Sequence, residues 1–168
     1  MFLLALHHRR AIICAWAAPP YPGGNTYTMT ECIKWTDDLS VGIEEIDNEH
    51  KTLISILNSF IDAVDDDEGV LVYDSIFGAF LETAIAHFRH EEELMEKSGY
   101  EDSDVHKHGH ETLLEQLGDM REKLMTSPSD TMEEDVREFL ANWLEIHIMV
   151  KDQAYGECIR AYLAQQAA

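Results

Sequence analysis

The segment His87-Phe88-Arg89-His90-Glu91-Glu92-Glu93-Leu94-Met95-Glu96-Lys97-Ser98-Gly99-Tyr100, followed after a short gap by His106-Lys107-His108-Gly109-His110, decides the fold of this chain. His87 and Glu91 are four residues apart. At about 100° per residue they fall within about 40° of each other on one helical face. His106 and His110 repeat that spacing, and Ser98-Gly99 between the two pairs is where a helix ends, glycine suiting a helix C-terminus. Two neighbouring helices of a bundle would then direct four donor groups into one interior volume, which is how bundles build metal sites.

Outward from this segment the same periodicity recurs. From Val41 to Val64 the apolar residues Ile43, Ile46, Leu53, Ile54, Leu57, Phe60, Ile61 and Val64 return at steps of three and four, and Asp65-Asp66-Asp67-Glu68-Gly69 stops them. The second stretch runs from about Val70 to Lys97 and the third from about Ser103 to Met125. After Ser127-Pro128-Ser129-Asp130 a fourth carries Val136, Phe139, Leu140, Trp143, Leu144, Ile146 and Ile148, with Asp130 and Glu133 as its expected capping pair. No alternating strand pattern appears. The expected fold is all-α: an antiparallel up-down four-helix bundle formed by residues 29–168.

Residues 1–28 differ from the rest, with two Arg, two His, no acid, and then Ala17-Ala18-Pro19-Pro20 and Gly23-Gly24. His7-His8-Arg9-Arg10 interrupt the apolar run that a secretory signal needs, so the segment reads as a disordered leader or a mis-called start. At 168 residues the chain has room for one substantial core. Acidic residues outnumber basic ones 33 to 12, and a net charge of −21 repels nucleic acid and anionic lipid alike. Cys14, Cys32 and Cys158 are odd in number and widely spaced, which suggests a reducing, cytoplasmic setting and neither a disulfide framework nor a zinc knuckle. No stretch approaches the roughly 18 to 20 consecutive apolar residues that span a bilayer, and no membrane partner is expected.

His50 and His147 each sit inside an apolar helical face. Alone, such a histidine is more often a hydrogen-bonded core residue. Beside the two pairs the balance changes, because burying five imidazoles and a carboxylate without a counter-ion would cost several kcal/mol, whereas two cations compensate them. Asp152 is harder to place. It follows His147 by five residues, about 140° around a regular helix. A π-type turn aligns residues five apart, and one is expected between His147 and Asp152.

Taken together, Ile46-Asp47 before His50, His87-Phe88-x-x-Glu91-Glu92, His106-x3-His110 and Trp143-Leu144-x-x-His147-Ile148-x3-Asp152 resemble the hemerythrins, specifically the bacterial hemerythrin-like proteins, over about residues 33–160. All seven metal-ligand positions of that family's motif are matched in order and type. The resemblance implies two non-haem iron ions with an oxo or hydroxo bridge. His106, His110 and His147 would bind one iron and His50 and His87 the other, with Glu91 and Asp152 bridging both. The second iron would keep an open position for dioxygen.

The implied function is reversible oxygen binding for transport, storage or delivery, by a protein that is not an enzyme and that acts on an unidentified protein recipient if it has one. A sensor working through a partner, iron storage or repair of metal centres, and a di-iron oxidase, peroxidase or nitric oxide reductase are the alternatives. Ferritin-like oxidases use four carboxylates and Glu-x-x-His motifs, and no Glu-x-x-His occurs here. Trp143, Leu144 and Ile148, close to His147 in sequence, are the expected dry wall of the oxygen pocket. Of the others, Asp47 either orients His50 or serves the helix start, His90 is a candidate neighbour of His87, and Glu92 and Glu93 are read as solvated. Two positions depart from the family pattern: Glu49 stands where glutamine is common, and Tyr100-Glu101 where Tyr-Pro is usual.

Overall fold

The computed structural model describes residues 33–167; the expected leader, with Cys14, Cys32, His7 and His8, lies outside them. After a short 3-10 turn at Asp37–Leu39 come three long helices, α1 (Glu44–Asp65), α2 (Val70–Ser98) and α3 (Ser103–Thr126). The fourth rod starts as α4 (Asp130–Ile146), passes through a π-helical turn at His147–Asp152 and continues as α5 (Gln153–Gln166). Among the described residues there is no strand. Connections of three or four residues force each helix to turn back on its predecessor, giving the expected four-helix bundle.

The breaks follow from local chemistry. Gly99 ends α2 in the left-handed region at φ 71, and the Tyr100 amide closes back on the Met95 carbonyl. Ser129, not Asp130, caps α4: its hydroxyl accepts from the Met132 amide, while Asp130 is already the first helical residue. The expected capping pair is therefore one residue out of step.

α1 packs on α2 and α4, and α3 closes the bundle against the same two helices. Each contributes an apolar stripe: Leu53, Leu57 and Phe60 from α1, Phe77, Phe80 and Phe88 from α2, Leu113 and Leu117 from α3, and Val136, Leu140 and Leu144 from α4, all 4 % exposed or less. By length and composition alone α2 is apolar enough to cross a bilayer. Here that apolarity faces the stripes of α1 and α3, and the helix also carries the fully buried Glu91.

The segment preceding α1 is tied down by Asp47. One of its carboxylate oxygens accepts from the Val41 amide at 2.8 Å and the other from the Ser40 hydroxyl at 2.6 Å. Asp47 thus serves the helix start and does not orient His50, whose Nδ1 has no partner. Val41 then joins Ile43, Ile46, Met95, Tyr155 and Ile159 in an apolar cluster at this end of the bundle. Its carbonyl runs so close to α5 that a Cβ at Gly156 would lie 3.1 Å from it, which leaves glycine as the residue that fits.

Candidate metal centre

Each wall of the site comes from a different helix. α1 supplies His50, α2 His87 and Glu91, α3 His106 and His110, and the π turn both His147 and Asp152. In that turn the Gln153 amide bonds to the Ile148 carbonyl, five residues back. The wider turn brings His147 Nε2 within 3.3 Å of Asp152 Oδ1, as the spacing required. All seven expected residues converge, and all are at most 9 % exposed.

The two carboxylates organise the rest. Glu91 Oε1 faces His87 Nε2 at 3.2 Å and His50 Nε2 at 3.8 Å, and Oε2 faces His110 Nε2 at 3.2 Å and His106 Nε2 at 3.6 Å. Asp152 does the same from the other side, with Oδ2 3.2 Å from His50 Nε2 and Oδ1 between His147 and His106. Two donor sets result, Glu91 with His106, His110 and His147, and His50 with His87, Glu91 and Asp152, the donor atoms of each within 4.8 Å of one another. Bonds of about 2.0 to 2.2 Å from a central ion place adjacent donors about 3 Å apart, so modest contraction accommodates a cation in each set.

The Nε2 atoms of all five histidines, Glu91 Oε2 and both Asp152 oxygens are buried without a hydrogen-bond partner. Eight such atoms aimed at one another would be costly in a finished core, and a pair of divalent cations satisfies them all. The donor chemistry fits iron, since imidazole with carboxylate suits that metal. Without cations, protons take part of their place. Burial works to lower the His87 imidazole, but the Glu91 charge and the Glu49 contact push it up to about 10. Burial also pushes the Glu91 carboxyl upward, yet His87 and the other imidazoles hold it well below the usual carboxylate range. His147 goes the other way: desolvation, only partly opposed by Asp152 and Glu91, brings it down to about 4, so it stays neutral and ready to ligate.

A second layer braces these donors. His87 Nδ1–H donates to Glu49 at 2.9 Å, and His110 Nδ1–H donates to Glu92 at 2.9 Å. Phe88 stacks on His110, with centroids 3.9 Å apart and planes 9° off parallel, and the Trp143 ring lies 5.0 Å from His147. Tyr155 donates its hydroxyl to Glu91 Oε1. Burial and then the Glu91 and Asp152 charges hold the phenol well above its usual range, so it keeps its proton. Leu144 and Ile148 are at most 1 % exposed, while Trp143 is half-buried.

Three of these residues escaped the sequence reading. Glu92 was expected in solvent and instead orients His110. In the sequence Glu49 stands out only as a departure from the family pattern. Tyr155 was not singled out, although its place three residues after Asp152 puts it on the same face. His90 does neighbour the site, but through Glu49, at 2.7 Å, and it belongs to neither donor set. His108 is exposed.

Residues 41–159 match the profile of the Hemerythrin HHE cation binding domain. Among curated relatives, the bacteriohemerythrin of Stenotrophomonas maltophilia is 33 % identical over 133 residues, covering 79 % of this chain and 85 % of that protein. The bacteriohemerythrin of Methylococcus capsulatus is 27 % identical over 128 residues, 76 % of this chain and 96 % of that one. The crystal structure of a wild-type hemerythrin superposes with a TM-score of 0.65 at 26 % identity, covering 77 % of this chain and 98 % of that one.

Proposed function

The chain belongs to the hemerythrin family, which binds oxygen at a di-iron site, and from that premise we propose that it is a non-catalytic carrier, store or delivery protein for dioxygen. The observation that carries the reading is the pair of donor sets that share Glu91, with Asp152 in the second and five imidazole Nε2 atoms left for metal. In this reading His106, His110 and His147 would hold one iron and His50 and His87 the other, with Glu91 and Asp152 as the carboxylate ligands.

Irons bound here would supply the electrons for dioxygen binding. The protein's part is to keep that exchange reversible. On the His106 side three imidazoles stand with Glu91, whereas on the His50 side two imidazoles stand with Glu91 and Asp152, and the side with fewer imidazoles is the one where an oxygen ligand would be received in this reading. Five neutral imidazoles and only two carboxylates would leave part of the charge of two ferrous ions unbalanced, so the donor set favours an additional anionic ligand. Leu144 and Ile148, with the Trp143 ring, exclude water from the His147 side, and dryness protects a bound ligand from proton-driven loss. The wide spacing of the cysteines favours a cytoplasmic setting.

The test is anaerobic reconstitution with ferrous iron, counting iron per chain, then recording absorption on exposure to air and its reversal under vacuum. Two irons per chain and a reversible band support the carrier. Irreversible oxidation, or turnover of an added reductant, refutes it.

A further inference from the structure

The glutamates behind His87 and His110 are not equivalent. Glu92 accepts from His110 Nδ1 at 2.9 Å. Glu49 serves two imidazoles: Oε2 accepts from His87 Nδ1 at 2.9 Å and Oε1 from His90 Nδ1 at 2.7 Å. His50, the other imidazole on the His87 side, has no partner at its buried Nδ1. One metal position therefore rests on a braced ring and an unbraced one, and the brace comes from a residue next to His50 in the chain.

A carboxylate accepts hydrogen bonds and cannot donate them, so His87 carries its proton on Nδ1 and directs the Nε2 lone pair into the site. An ionised acceptor makes such a bond roughly twice as strong as a neutral one. It also leaves the imidazole more electron-rich, which favours the higher charge state of the metal. Glu49 is one-third exposed and would readily swing into water if held at one oxygen only. His90, on the same helix as His87 and one turn away, holds the other oxygen.

We propose that Glu49 is the positioning residue that sets the affinity and reduction potential of the metal held by His50 and His87, with His90 as the clamp that keeps it in place. The inference rests on the two-metal reading above and adds to it a division of labour: Glu49 governs one ion and Glu92 the other. Glutamine at position 49 keeps the size and one acceptor but loses the charge.

The experiment compares the wild type with E49Q, E92Q, the double variant and H90Q, each loaded anaerobically with ferrous iron and challenged with excess ferrous chelator. E49Q is expected to release one of its two ions at least tenfold faster and the other at the wild-type rate, in line with the roughly 10- to 100-fold cost of losing such partners. E92Q should do the same, and the double variant should release both ions fast, which happens only if the two glutamates act on different ions. H90Q should fall between wild type and E49Q. A tenfold loss of preference for the ferric state raises the potential of one iron in E49Q by about 59 mV for a one-electron couple. Wild-type release from E49Q, equal acceleration of both ions, or a double variant that keeps one slow ion overturns the assignment. A wild type that holds fewer than two ions refutes the metal reading itself and this inference with it, whereas two ions in the wild type with unaltered release in E49Q refutes Glu49 alone.

Discussion

Replacing Tyr155 by Phe removes one oxygen atom from the centre of the molecule and nothing else. Tyr155 and Glu91 are both fully buried, so no water can take over the lost donor. Glu91 Oε1 keeps only imidazole neighbours at 3.2 and 3.8 Å. A hydrogen bond to a charged group is worth about 1.5 to 3 kcal/mol, and the ring packing is conserved, so the metal-free protein should lose about 2 kcal/mol. With an m-value of about 2 kcal/mol/M, the urea midpoint followed by circular dichroism drops by about 1 M. In the metal-loaded protein the Glu91 charge would be compensated by bound cation, and the shift should then shrink to about half. A midpoint change below about 0.3 M urea in the metal-free protein would mean that Tyr155 does not support the carboxylate. An equal loss with and without metal would mean that the effect is packing.

Other outcomes follow from the same geometry. The metal-free protein should be most heat-stable near pH 6.5: His87, raised from 6.5 to about 10, contributes stability that is complete below pH 6.5 and lost as pH climbs towards 10. His147, lowered from 6.5 to about 4, contributes stability that is complete above pH 6.5 and lost as pH falls towards 4, so a melting temperature that varies in one direction only from pH 5 to 9 would contradict the pair. Leu144→Ala opens the buried wall next to His147 and should speed autoxidation of the oxygen-loaded protein, read as the decay of its visible band; an unchanged decay rate refutes the wall. Ser129→Ala removes the hydroxyl that caps α4 and should cost about 0.5 to 2 kcal/mol in denaturant melts; an unchanged midpoint refutes the cap.

Much of this was legible because it is carried by short-range spacing. The pairs His87 with Glu91 and His106 with His110 lie four apart, and helical geometry settles which face they share before any tertiary structure is known. The π turn was legible too, since His147 and Asp152 cannot converge on a regular helix. What escaped depends on contacts across the bundle. Glu49 meets His87 across 38 positions and Tyr155 meets Glu91 across 64. Glu92 looked like one more acid in an acidic run, and only the placement of α3 against α2 distinguishes it from Glu93. Asp47 was ambiguous for the same reason: its partners, Ser40 and Val41, precede the first helical residue of α1, and helical spacing does not place them. The cap of α4 was misplaced because Ser129 and Asp130 are both good capping residues, and the backbone bend decides between them.

The π turn also acts as a phase shifter for the whole fourth rod. At about 100° per residue, Tyr155 would lie about 60° and Ile159 about 100° around the axis from Leu140, and the second would drift off the core side. Absorbing one extra residue rotates them back to about −40° and 0°, in line with Val136 and Leu140, and all four are in fact buried. The same irregularity that turns Asp152 inward therefore delivers the Tyr155 hydroxyl to Glu91 and Ile159 to the apolar end cluster. Tolerance to a change of length is correspondingly uneven along this rod. One residue removed between Ile148 and Lys151 converts the wide turn to an ordinary one and leaves both halves in register. The same deletion between Val136 and Leu140 swings the start of the rod by about 100° and pulls its stripe out of the core.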